Sequence, residues 1–409
     1  MTRQLQDAYV VAAVRAPIGK APRGMFRNVR PDDLLIHVVR AALAKLPSLD
    51  PAAIEDMIVG CSFPEGEQGL NVARMAALLS GLPDSVAGVT VNRFCASGIT
   101  AVQIAADRIR TGEAEVMIAA GVESMSMVPM GGAKPSFNPA IFGADANVGI
   151  AYGMGLTAEK VAQQWKVSRE DQDAFAVESH RRAIAAIAGG GFADEMAPFD
   201  IVETFARLGS AELDVRRRTV DTDEGPRAET SLEALARLKP AFAAPKDPTG
   251  KATGLGSVTA GNSSQTSDGA GALVIVSELA LKRFGLTPLA RWCGFAVRGV
   301  APEIMGIGPT AAIPAVLQST GISLSEIGWI ELNEAFAAQS LAVIRDLGLD
   351  PAKVNPNGGA IALGHPLGAT GAIRSATAIH GMRRTGAKYS MVTMCIGTGM
   401  GAAGVFENV

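Results

Sequence analysis

Charge and aromatic rings are both scarce in this sequence. Only 19% of residues are Asp, Glu, Lys or Arg, and 5% are Phe, Trp or Tyr. The net charge is −3, so the strongly basic face expected of a nucleic-acid-binding protein is missing. A small anionic ligand stays open, because it needs only a few local cations. Cysteine is rare as well: Cys61, Cys95, Cys293 and Cys395 are the four in 409 residues, with no CxxC pair. That excludes a disulfide framework and argues against structural zinc, so no metal site is expected. Unpaired thiols fit a reducing, cytoplasmic compartment. Long apolar runs are lacking too. Seven apolar residues, Ala8 to Val14, precede Arg15, which is short of both a signal-peptide core and a membrane span. The chain ends in ENV rather than the peroxisomal SKL address. The expectation is a soluble cytoplasmic protein.

What is abundant is glycine, 46 residues, against a background that is 48% hydrophobic. This is globular composition with tight backbone packing, and the length suits two or three domains. AYVVAAV reads as a strand, and PDDLLIHVVRAALAKL as a helix with Pro31 and two aspartates in its first turn. DMIVG, GVTVN and EVMIAAG read as further strands, with SGITAVQIAADRIR as a helix between the last two. Such alternation predicts an α/β fold with a mainly parallel sheet covered by helices. The second half repeats the order: IEDMIVG at 54–60 matches IGWIELN at 327–333, and RTGEAEVMIAAG at 110–121 matches RTGAKYSMVTMCIG at 384–397. Between them, VNR at 91–93 matches VNP at 354–356. Three matches in one order suggest an internal duplication. The intervening stretch is different in character. It holds several methionines, a helix start at Ser168 with Asp171 three residues on, a triple-glycine stop at 189–191 and the charged DVRRRTVDTDEGPR. It reads as an inserted, lid-like domain.

Four segments carry candidate chemistry. In VTVNRFCASGITAVQ a strand ends near Asn92 and a helix begins near Ser97, so Cys95 falls on the turn at a helix N-terminus. Amides and the helix dipole there favour a thiolate and a lowered pKa, and the small Ala96, Ser97 and Gly98 leave room for a substrate. A buried, inert cysteine is the other reading. In the glycine-rich loop NPNGGAIALGHPLGATGA, His365 is held between Gly364 and Pro366, where it suits a base or hydrogen-bond donor. His37, His180 and His380 sit in helical stretches instead. In MVTMCIGTGMGAAG, Cys395 ends a strand before a glycine turn. The GxGxxG match there lacks the following helix and strand of a dinucleotide site, so its glycines are expected to bring N–H groups to an oxyanion. In IELNEAFAAQS, Asn333 leaves a strand; it could fix a water, and spacing alone favours a helix N-cap.

Together NRFCASG, NEAFAAQ, NPNGGAIALGHPLGATG and CIGTGMGAAG resemble the thiolase family of acetyl-CoA acyltransferases. The resemblance runs almost end to end, through MGLTAEKVA and SVTAGNSSQTSDGA. It implies duplicated βαβαβαββ halves in a five-layer α-β-α-β-α arrangement with an inserted loop domain. The expected boundaries are 1–124 with 260–284 for the first half, 125–259 for the CoA-binding insertion and 285–409 for the second half. It further implies Cys95 as the acylated nucleophile, His365 as its base and Cys395 as the acid/base at the α-carbon. Asn333 would hold a water that forms one oxyanion hole with His365, and the amides of Cys95 and Gly397 would form another. Met154, Arg227 and Ser264 match substrate and CoA positions, while Arg216, Arg217 and Arg218 read as a solvated face. CoA is then a substrate, with no separate cofactor. A homodimer or homotetramer is implied, with other β-oxidation enzymes as possible partners. Gly153 stands where acetoacetyl-CoA-forming members often carry a histidine, which favours a degradative 3-ketoacyl-CoA thiolase of fatty-acid metabolism. The alternatives are an acetoacetyl-CoA-forming enzyme, a decarboxylating condensing enzyme, for which Cys395 would have no role, and a non-catalytic CoA- or lipid-binding relic.

Overall fold

A computed structural model describes residues 5–242 and 256–409. The first half runs β1 (Ala8–Arg15), β2 (Gly19–Lys20), α1 (Pro31–Ala44), β3 (Asp56–Gly60), α2 (Val72–Leu79), β4 (Ala87–Val91), α3 (Ser97–Arg110) and β5 (Val116–Ser124). Then come α4 (Asp145–Val148), α5 (Met154–Gln164), α6 (Arg169–Ala188), the hairpin β6 (Phe199–Ala206) and β7 (Leu213–Val220), and α7 (Leu232–Ala236). The chain returns to the main sheet with β8 (Ser267–Ser277), followed by α8 (Glu278–Phe284) and β9 (Ala290–Gly299). The remainder is α9 (Gly308–Thr320), β10 (Ile327–Leu332), α10 (Ala337–Leu347), α11 (Ala360–Leu363), α12 (Leu367–Thr385), β11 (Tyr389–Ile396) and β12 (Met400–Asn408).

The duplication is visible in the hydrogen-bonding order. One half reads β4-β3-β5-β8-β1 and the other β10-β11-β12-β9, with Val354 bridging Ile330 in parallel where a fifth strand would stand. The sequence matches fall on equivalent positions: β3 with β10, β5 with β11, and β4 with the bridge at Val354. β1 and β9 meet through Tyr9–Arg291 and Val10–Ala290, joining the halves edge to edge.

The sheet is mixed, not mainly parallel. Only β3–β4, β3–β5 and β10–β11 are parallel ladders, whereas β5–β8, β8–β1, β11–β12, β12–β9 and the β1–β9 seam are antiparallel. Strand–helix alternation accounts for the parallel ladders. Apart from the β1–β9 seam, the antiparallel ones come from the return strands β8 and β12, and β12 follows β11 through the short turn Gly397–Thr398–Gly399.

Three buried clusters separate five layers. α1 and α2 cover one face of the first half, and α9 packs on the outer face of the second, beside Val343 and Ile344 of α10. α3 and α12 lie between, in a cluster that takes side chains from both halves of the sheet. These two central helices cross backbone to backbone. A Cβ on Gly371 would stand 2.0 Å from the amide nitrogen of Ile99, and one on Gly98 would stand 2.6 Å from that of Ala372. The glycines of the ALGHPLGATGA stretch therefore serve helix packing more than loop flexibility, since α12 already begins at Leu367. Gly98 likewise makes room for α12 rather than for a substrate.

Between β5 and β8, Ser168 caps α6 by accepting from the amide of Asp171 at 3.1 Å, and α6 stops at Gly189. β7 carries the exposed Arg216, Arg217 and Arg218, with Arg216 over the ring of Phe205. Among the described residues, no helix is long and apolar enough to cross a membrane.

Candidate active site

The crossing of α3 and α12 explains why two distant motifs meet. Cys95 lies immediately before α3 and His365 immediately before α12, so one helix contact fixes both. Cys95 sits in a single 3₁₀ turn, Phe94–Ala96, between β4 and α3. Phe94 has φ of +44°, uncommon for a bulky residue and costly unless braced. The braces are in the motif itself. Asn92 Oδ1 accepts from Phe94 N at 2.8 Å, and Asn92 Nδ2 donates to Ser62 O. Ser97 Oγ donates to Phe94 O at 2.6 Å while accepting from Arg93 N.

The expected thiolate is not what this setting favours. Although Cys95 as a residue is only half-buried, desolvation pushes its thiol up to about 12, against the downward pull of the Gly397 and Cys95 amides that face it. The turn precedes the helix, so loss of water outweighs the helix end. Those two amides are nonetheless the pair implied for an oxyanion. The Gly397 position also lies near Phe94 and the sulfur of Met154, within 3.8 Å for an added Cβ.

His365 is buried, 4% exposed. Its Nδ1 lies 2.6 Å from Thr370 Oγ1, and its Nε2 3.3 Å from Asn333 Nδ2. Thr370 Oγ1 is within 3.2 Å of Pro366 O, to which it donates, so its oxygen is left to accept from His365 Nδ1–H. This assigns the proton to Nδ1 and leaves the Nε2 lone pair as the acceptor, facing Asn333 Nδ2 at rest. Burial, with Arg374 second, lowers the imidazole to about 3, so it is neutral at any physiological pH.

Asn333 is not a helix cap, since α10 starts at Ala337 behind Phe336. Its Oδ1 is buried without a partner among the described residues, whereas its Nδ2 meets His365. The neighbouring Glu334 explains much of the rest of NEAF. It accepts from Ser179 Oγ at 2.7 Å, Ile361 N at 3.1 Å and Asn355 Nδ2 at 2.8 Å, and so ties the strand end to the histidine segment. On the other side Glu123 accepts from Ser62 N and Gly368 N, both at 2.8 Å, anchoring the start of α12. The sequence reading missed Thr370, Glu334 and Glu123 as supports. The S/T and acidic letters were visible, but their partners are far away in sequence.

Cys395 is fully buried at the end of β11, and burial followed by Cys95 raises its thiol strongly. Of the glycines after it, only Gly397 faces the site. Gly401 sits inside β12, where a Cβ would stand 2.0 Å from the Gly308 backbone, so that part of the run serves packing.

Cys95, His365 and Cys395 line one cavity of about 390 Å³. Met125, Met130, Met154 and Gly153 line it too, as do Ser264 and Phe242. Met127 does not. Arg227 lies outside this cavity, exposed, with its amide donating to His180 Nδ1 at 3.1 Å. Among the described residues, no group of three or more His, Cys, Asp or Glu side chains is placed to hold a metal ion.

Residues 8–279 match the family model described as thiolase, N-terminal domain, and residues 286–408 the one described as thiolase, C-terminal domain. The chain belongs to the thiolase family. It is 47% identical over 404 residues to a 3-ketoacyl-CoA thiolase of Bacillus subtilis, covering 98% of this chain and 100% of that one. It is 45% identical over 403 residues to 3-ketoacyl-CoA thiolase 2, peroxisomal, of Arabidopsis thaliana, covering 98% and 84%. Among solved structures, the acetyl-CoA acetyltransferase of Bacillus anthracis superposes with a TM-score of 0.86 at 37% identity, over 100% of both chains. Human mitochondrial 3-ketoacyl-CoA thiolase in complex with CoA superposes with a TM-score of 0.85 at 38% identity, over 99% and 98%.

Proposed function

We propose that this chain is a 3-ketoacyl-CoA thiolase, an acyltransferase that cleaves 3-oxoacyl-CoA with CoA to acetyl-CoA and a shortened acyl-CoA. The observation that carries the reading is the convergence of Cys95, His365 and Cys395 on one cavity, with Asn333 on the histidine. Both thiols and the imidazole rest neutral, so the proton of Cys95 moves to His365 Nε2 only as sulfur attacks the 3-keto carbon. The alkoxide that forms is met by preorganised donors, each worth about 3 kcal/mol of barrier. The C2–C3 bond then breaks, the acyl group stays on Cys95, and the enolate of acetyl-CoA takes the proton of Cys395. Proton exchange between the His365 imidazolium and the Cys395 thiolate resets both. His365 next takes the proton of the CoA thiol, which attacks the acyl group, and returns it to Cys95 as that sulfur leaves.

Asn333 is assigned a water through its unpartnered Oδ1, completing one oxyanion site with His365; the amides of Cys95 and Gly397 form the other. The insertion at 125–259 is assigned to CoA, supported by Met154 and by the adjoining Ser264 on the cavity, with Arg227 placed along the outer path of the ligand. Tails longer than acetoacetyl are assigned to the methionine-lined cavity beside Gly153. A cytoplasmic place in fatty-acid β-oxidation and a homodimeric or homotetrameric state belong to the same reading. Association is supported by β4, which among the described residues pairs on one side only and leaves a sheet edge open.

The test is thiolysis of a 3-oxoacyl-CoA with CoA, followed by peptide mass spectrometry after brief exposure to acyl-CoA alone. Substrate should disappear only when CoA is present, and the acyl mass should sit on the Cys95 peptide. Acylation of Cys61, Cys293 or Cys395 with Cys95 untouched would overturn the assignment.

A further inference from the structure

The last residue of NEAFAAQ, Gln339, has no role in the mechanism above, yet it is fully buried in α10 against the second thiol. The end of its side-chain amide lies 3.6 Å from Cys395 Sγ. An amide is asymmetric, so which end faces the sulfur decides whether it donates or accepts. Its other neighbours settle the orientation. With the oxygen turned towards Ser340 it accepts from Ser340 N at 2.8 Å, and the nitrogen donates to the Asn333 carbonyl at 3.3 Å. The reverse would set oxygen against oxygen at Asn333 and N–H against N–H at Ser340. In the satisfied orientation the atom beside Cys395 Sγ is the amide nitrogen, which has a second hydrogen to give. The side chain is also held from behind, because Gly306 packs on it so closely that a Cβ there would stand 2.6 Å from Gln339 Cβ.

We propose that Gln339 is a positioning residue that donates a side-chain N–H to Cys395, stabilising the thiolate formed when Cys395 gives its proton to the enolate. What Cys395 does rests on the thiolase reading; that Gln339 is its donor does not. The contact matters because the resting thiol is neutral and surrounded by protein. Charge appears on the sulfur only during proton transfer, and a buried charge without a donor is costly. The same amide joins the Asn333 backbone to Cys395, linking the two parts of the site that handle the enolate.

Gln339→Met keeps the length of the side chain and removes the N–H; Gln339→Glu keeps its shape and presents oxygen to the sulfur. Three readouts separate a donor from a scaffold. Exchange of the acetyl-CoA α-protons in heavy water should fall about tenfold or more in Gln339→Met and further in Gln339→Glu. Acylation of Cys95 by acyl-CoA should stay within about threefold of the parent, since that step places no charge on Cys395. In a Cys95→Ala background, the pH at which Cys395 becomes open to alkylation should move up by about one unit or more in both variants. Unchanged exchange together with an unchanged alkylation profile would overturn the proposal. So would a parallel fall in acylation and exchange, which would make Gln339 a support of the whole site. If the parent enzyme itself exchanges no α-protons, the thiolase reading fails, while the alkylation profile still judges the donor.

Discussion

In the proposed mechanism the chemistry at the residue scale turns on one imidazole, that of His365, held in one tautomer. Thr370 does this by accepting from Nδ1 while its own hydroxyl hydrogen is committed to Pro366. Supports of this kind commonly change activity by one to two orders of magnitude without touching the substrate. Thr370→Val preserves the shape and deletes the acceptor. Its kcat should fall about tenfold or more, its KM for CoA should change little, and Thr370→Ser should restore most of the rate. A kinetic comparison of the three forms checks this, and an unaltered kcat in the valine variant would show the tautomer to be held by something else. Cys95 makes a second point at this scale. A helix start does not by itself make a thiolate, because the cysteine lies in the turn ahead of α3, where burial raises its pKa to about 12.

Packing decides which features act together among the elements. The α3–α12 crossing needs glycine at Gly98 and Gly371, and the reward is that the residues preceding both helices converge. α5 adds the cavity wall, starting at Met154 behind Gly153. Gly153 has φ of −61° and ψ of 145°, extended backbone open to any residue, and a Cβ there would meet nothing within 4 Å. Gly153→His should therefore fold normally and project an imidazole into the cavity. The expected result is a fall of about tenfold or more in kcat/KM for 3-oxoacyl-CoA substrates of eight carbons and beyond, with the four-carbon substrate nearly unaffected. A ladder of chain lengths measures it. An equal loss at every length would place residue 153 against the thioester rather than along the tail.

Buried titrating groups make the whole molecule's stability depend on pH in two opposite ways. His180 and His365 are lowered by burial to about 4 and about 3, so the fold holds them neutral while the unfolded chain takes up protons near 6.5. Their stability contribution is complete above about pH 6.5 and is lost as pH falls from there towards about 4 for His180 and about 3 for His365. Glu331 works in the other direction. Burial raises it to about 7 even beside Arg374, so its contribution is present below about 4.5 and lost as pH rises through 7. His180→Gln should accordingly lose less stability than the parent between pH 7 and pH 5, by up to about 2 kcal/mol. Denaturant melts of both proteins at the two pH values check the sign; a variant that loses as much as its parent would mean that His180 is charged in the fold.

Sequence alone determined the parts of this protein that are local or repeated. The Ser168 cap, the glycine stop of α6, the strands around each motif and the duplicated order all follow from short-range spacing, and each is present in the structure. Cys95, His365 and Cys395 were legible because turn and glycine letters surround them. Tertiary structure decided what depends on residues far apart in the chain. The return strands β8 and β12 make the sheet mixed, since strand direction is set by pairing partners rather than by the strand's own sequence. Burial at Cys95 reversed the pKa shift that the helix start suggested, because desolvation depends on everything packed around the sulfur. The partners of Thr370, Glu334 and Gln339 were likewise set only in three dimensions. A hydroxyl, carboxylate or amide states what it can bond to, and the fold alone determines which partner comes within reach.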